Sequence, residues 1–91
     1  MVDVEYIRRF AGADPEEDTQ LLEDMRDAAV EWYEKAGVPR TTEGRLYRFW
    51  VANLAAWMYD NRGNADAGAV IPPYIVASVH QLRALGRGSG T

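Results

Sequence analysis

The sequence predicts an all-α fold of about four helices. Apolar residues recur at helical spacing over long stretches, no run alternates apolar and polar residues as a half-buried strand would, and the breaks between stretches fall at Gly, Pro or Asn. The expected arrangement is two long antiparallel helices joined by a turn over residues 37–42, with a short helix at each end packed across them.

The first element is short: Val4, Ile7 and Phe10 share a face, and Gly12 ends it. The second has the best-marked start. Asp14 is a favoured N-cap, Pro15 suits the first helical position because an N–H there has no partner to lose, and Glu16 and Glu17 suit the helix dipole. Leu21, Leu22, Met25, Ala28, Ala29, Trp32, Tyr33 and Ala36 then trace one stripe, with acids opposite. Gly37 stops the helix and Pro39 prevents its resumption, so the pattern predicts a helix over 15–36, roughly 33 Å long.

The third element opens at Thr41-Thr42-Glu43 and runs to Tyr59; it is apolar nearly all round from Phe49 onward, the mark of a central helix covered by neighbours. Residues 61–71 read as a Gly/Ala-rich loop. A last helix starts near Pro72-Pro73 with Ile75, Val76, Val79, Leu82 and Leu85 on one side, and 86–91 read as a flexible tail. One domain over 1–85 is expected, with Leu22, Met25, Ala29, Trp32, Phe49, Trp50, Leu54 and Trp57 in its core.

Composition supports folding and excludes much enzymology. Ninety-one residues can build one modest core, and 47% hydrophobic content with three Trp and five Tyr is too apolar for a disordered chain. With no Cys and a single His, there is no disulfide, no thiolate chemistry and no two-histidine zinc motif. The acidic N-terminus does not read as a signal peptide. The uncharged stretch 67–82 is too short and too broken by Pro to span a membrane, so a soluble chain is expected.

Charge is unevenly distributed. Residues 1–34 carry eleven acids against three arginines, whereas residues 35–91 carry seven bases against three acids, within a net charge of −4. Such asymmetry suits a two-faced surface that meets a partner of opposite sign, including another copy of the chain.

No catalytic, cofactor or metal constellation emerges. Asp14, Glu16 and Asp18 alternate as calcium-loop ligands do, but Thr19 stands where that loop needs Gly and Met25 where it needs Glu. Gly86, Gly88 and Gly90 have no helix after them to aim amides at a phosphate. His80 shares a helix with Ser78, but no Cys or acid is placed locally to make a nucleophile pair with it. Arg45, Arg48 and Arg62 flank an aromatic helix too apolar to read a major groove, on a chain whose acidity opposes duplex binding. An interaction module fits better than an enzyme.

The order of features resembles the small head–tail connector proteins of tailed bacteriophages. The resemblance rests on Asp14-Pro15-Glu16-Glu17-Asp18 followed by Leu21-Leu22, then Ala28-Ala29-Val30-Glu31-Trp32-Tyr33, a Gly/Pro turn, and Trp57-Met58-Tyr59-Asp60-Asn61-Arg62. Ile71-Pro72 and Leu82-Arg83 complete it, so that it covers residues 4–85. It implies a non-enzymatic, cofactor-free virion protein, present in the host cytoplasm during assembly and often labelled a DNA-packaging protein. Such a protein forms a ring, dodecameric in this reading, beneath the portal protein. It extends the DNA channel and docks a stopper or tail-completion protein. The chain departs from the family in its short C-terminal end, since longer relatives grip the portal with extended termini.

On that reading, Glu16, Glu23, Asp27, Glu31 and Glu34 would face the channel and repel passing double-stranded DNA, while Arg45, Arg48 and Arg62 would contact a neighbouring copy or the portal. A small protein-binding regulatory module and a helical DNA-binding domain are the alternatives.

Overall fold

A computed structural model describes residues 2–14, 16, 19–61 and 70–88, the last four without their side chains. The fold is all-α, with helices α1 (Val4–Ala11), α2 (Thr19–Lys35), α3 (Arg45–Asp60) and α4 (Pro73–Gly88). Each of α1, α2 and α4 packs against α3, and α1 also meets α2.

Local chemistry explains the helix boundaries. Asp3 Oδ1 accepts the Glu5 N–H at 3.1 Å and starts α1, and the Ala13 N–H reaches back to the Arg8 carbonyl at 2.9 Å to close it. At the other end of α2, the Val38 N–H donates to the Tyr33 carbonyl at 2.8 Å and the Gly37 N–H to the Glu34 carbonyl at 3.0 Å. That paired arrangement needs a left-handed residue, supplied by Gly37 at φ 101°, and the hydrophobic contact that accompanies it is made by two fully buried residues, Val38 and Tyr33.

Three boundaries depart from expectation. Helix α2 begins at Thr19 rather than Pro15. Asp14 Oδ1 does accept a backbone N–H, from Glu16 at 2.8 Å, but the Arg8 guanidinium holds the Asp14 carbonyl at 3.1 Å and Thr19 Oγ1 at 3.0 Å. This clamp ties the segment to the end of α1 before α2 winds. Pro15, Glu17 and Asp18 lie outside the described residues. Helix α3 begins at Arg45, because the Thr42 N–H closes a turn onto the Pro39 carbonyl and Gly44 takes a positive φ outside the helical range (φ 116°, ψ 165°). Helix α4 has 16 residues, so it is not a short terminal helix, and it takes in residues 86–88 of the expected tail. Residues 89–91, and 62–69 of the expected loop, lie outside the described residues.

The core gathers Ile7 from α1, Leu22, Met25, Ala29 and Tyr33 from α2, Val51, Leu54 and Ala55 from α3, and Ile75, Val79 and Leu82 from α4. Of the expected core, Leu22, Met25, Ala29 and Leu54 are buried, while Trp32, Trp50 and Trp57 are half-buried against it. Phe49 is not core: it is 39% exposed. Helix α3 is covered on three flanks but not all round, and Leu46, Phe49, Trp50, Asn53 and Trp57, at helical spacing, form the side left partly open. On α2 the buried set shifts toward Val30, leaving Ala28 exposed, and Arg26 beside it donates to the carbonyl of buried Val2 at 3.3 Å. Val76 is likewise exposed rather than on the inner side of α4.

Polar bonds help stitch α4 to the rest. Buried Ser78 Oγ donates to the Ile75 carbonyl; with its one proton so used, it accepts from the Tyr33 hydroxyl at 2.7 Å. Trp50 Nε1 donates to Gln81 Oε1 at 3.2 Å. Among the described residues, no helix is long and apolar enough to cross a membrane.

Candidate functional site

Two surface features have the character of a site, and both involve the N-terminal half of α3. The first is an aromatic ribbon across three helices. Tyr6 and Phe10 on α1 lie 6.0 Å apart between ring centroids, Phe10 meets Phe49 edge-on at 5.5 Å, Phe49 meets Trp50 at 5.3 Å, and Trp50 reaches Tyr74 on α4 at 6.3 Å. Edge-to-face pairs of this kind hold one another in place without being buried. Phe10 and Phe49 are more than one-third exposed and Tyr74 about half, with Leu46 and Val76 also open. The Arg48 guanidinium sits 4.5 Å from the Tyr6 ring centroid, where the ring face attracts the cation.

The second feature is a cavity of about 500 Å³ at the start of α3, lined by Val2, Arg40, the 41–44 turn, Arg45, Tyr47 and Arg48. No side chain caps the first turn of α3. Arg40 is engaged by Glu34 through two parallel hydrogen bonds of 2.9 and 2.7 Å, which lower the Glu34 pKa and raise that of Arg40. Burial raises the Tyr47 hydroxyl pKa, with the Arg40 charge opposing.

Several carboxylates of the expected acidic face are paired with bases nearby in sequence. Glu16, Asp27, Glu31 and Glu34 are exposed and Glu23 half-buried. Asp27 pairs with Arg26 at 3.1 Å, Glu31 with Lys35 at 3.1 Å, and Glu34 with Arg40. Arg45 and Arg48 come together at the cavity, whereas Arg62 lies outside the described residues. Sequence reasoning placed Phe49 in the core and did not single out Tyr47, Thr42 or Tyr74. Spacing of 3 and 4 from Leu46 and Asn53 was the available signal for the open stripe.

Comparison with protein-family models, with curated proteins and with solved structures finds no match. Among the described residues, no three His, Cys, Asp or Glu side chains stand close enough to hold a metal ion.

Proposed function

We propose that this chain is a structural assembly subunit, a head–tail connector that forms a ring beneath a phage portal, extends the DNA channel and receives the next stopper or tail component. Its place is then the virion, reached from the host cytoplasm. The observation that carries the reading is the open ribbon Tyr6–Phe10–Phe49–Trp50–Tyr74. Large aromatic side chains left in contact with solvent, and held in order by one another, suit protein–protein recognition, in which aromatic and Arg anchors dominate. The motif order from Asp14 to Arg83 supports the choice of assembly.

In this reading the ribbon, with Arg45 and Arg48 beside it, meets a neighbouring copy or the portal. The carboxylates of α2, chiefly exposed Asp27 and Glu31 with half-buried Glu23, face passing DNA and keep phosphates from sticking. Glu34, spoken for by Arg40, contributes least.

Negative-stain imaging of the purified chain mixed with a candidate portal protein tests the proposal. A ring of added density under the portal is expected. Portal particles unchanged at micromolar chain would overturn the connector reading and leave the regulatory protein-binding module as the better account.

A further inference from the structure

We infer that the cavity at the start of α3 is a carboxylate-binding site, taking the side-chain or chain-terminal carboxylate of a polypeptide. The inference does not depend on the connector reading.

Two hydroxyls first point to a ligand. Tyr47 is only 5% exposed, yet its Oη has no hydrogen-bond partner, and Thr42 Oγ1 is equally closed to solvent and unpartnered. Buried hydroxyls are nearly always satisfied, because losing water without gaining a partner is costly. Both residues line the same cavity. Each hydroxyl can donate to an oxyanion.

Apart from Glu43, the cavity offers further donors. The first amides of a helix have no intrahelical acceptor, and here no side chain supplies one. They carry the positive end of the dipole of a 16-residue helix. Gly44, which precedes them, would meet nothing within 4 Å if it carried a Cβ, so the approach to these amides is open.

Charge selects the ligand's class. The lining contains Arg40, Arg45 and Arg48 against Glu43, but Glu34 already neutralises Arg40. Among the described residues, Arg45 and Arg48 form no salt bridge, and Arg48 is steadied by the Tyr6 ring. One positive charge is therefore left over, which matches a monoanion better than a phosphate dianion. Arg forks suit the planar carboxylate, and Val2 offers an apolar wall to the stem that bears it.

The test is an NMR titration of the intact chain with sodium acetate, against sodium chloride and inorganic phosphate at matched ionic strength. N-acetylalanine serves as a chain-terminus probe and N-acetylglutamic acid α-amide as a side-chain probe. Amide shifts over Gly44–Tyr47 should saturate with acetate at concentrations about tenfold below chloride and below phosphate. Whichever of the two amino-acid probes binds more tightly then identifies the source of the carboxylate. Arg45→Gln and Arg48→Gln should each weaken acetate at least about fivefold, and Tyr47→Phe about threefold, with the far-UV circular dichroism of all three unchanged. Equal, unsaturated shifts with chloride and acetate would overturn the site, as would wild-type acetate affinity in Tyr47→Phe. Tighter binding of phosphate than of acetate would overturn the carboxylate assignment.

Discussion

The Tyr33 hydroxyl lies 2.7 Å from Ser78 Oγ, bridging α2 to α4 across 45 positions of sequence, with both residues buried. Ser78 passes its own proton on to the Ile75 carbonyl, so the tyrosine is the donor of the pair. Ser78→Ala should leave the Tyr33 hydroxyl orphaned and destabilise the fold by about 1–3 kcal/mol. Tyr33→Phe should cost less through this bond, because Ser78 keeps its Ile75 acceptor. Urea denaturation of both variants compares the two losses, and equal stability of Ser78→Ala and wild type would contradict the bond.

The same pair sets an alkaline limit. Burial pushes the Tyr33 pKa up from 10.0 to about 12. A phenol whose folded pKa lies above its unfolded value stabilises the fold fully below pH 10 and loses that contribution as pH rises through about 12. Unfolding free energy should therefore fall between pH 10 and 12, by an amount on the order of 2 kcal/mol from Tyr33, plus a share from Tyr47, whose pKa is also raised, and the melting temperature should fall with it. Thermal melts of Tyr33→Phe should show a shallower alkaline fall than wild type.

Gly37 answers to two demands at once. Its φ of 101° is one that residues with a Cβ rarely adopt, and an added Cβ would stand 3.1 Å from Arg83 Nε. Gly37→Ala should destabilise by about 1–2 kcal/mol, most of it from the backbone because the Arg83 side chain can shift. A melt within error of wild type would show that the helix end tolerates another conformation.

Arg8 is a clamp. Its guanidinium, with the side chain 8% exposed, bonds the Glu5 carboxylate at 3.3 Å as well as the Asp14 carbonyl and Thr19 Oγ1. Arg8→Met keeps the stem and removes every donor. It should cost about 2–3 kcal/mol and speed hydrogen exchange in the first turns of α2 more than in α3. Exchange rising uniformly across the chain would argue against a local clamp.

These cases divide between what the sequence makes legible and what it hides. The all-α class, the Gly37 stop, the central place of α3 and the inner stripe Leu22–Met25–Ala29–Tyr33 follow from periodicity and helix-end chemistry acting within one element. The late start of α2 does not, because it depends on Arg8 reaching over from another helix to residues 14 and 19. Phe49 was misread for a similar reason. Its helix is apolar nearly all round, and only the placement of three neighbours decides which flank stays open. The cavity at Thr42, Tyr47 and Arg45 was half legible: the arginines drew notice by charge, but a hydroxyl without a partner is visible only once its surroundings are known.

Phe49 separates stability from assembly. Being 39% exposed on the α3 surface and in edge-on contact with Phe10 and Trp50, it should lose only about 1–2 kcal/mol in Phe49→Ser by urea denaturation. A loss of several kcal/mol would place it in the core after all.

The assembly reading is tested most directly by the mass of the portal before and after addition of the chain, measured by mass photometry for wild type and for Phe49→Asp. The account predicts a discrete mass increase equal to a whole ring of subunits with the wild type, and none with Phe49→Asp although that variant remains folded. A portal mass unchanged by the wild type, or raised equally by both proteins, would contradict it.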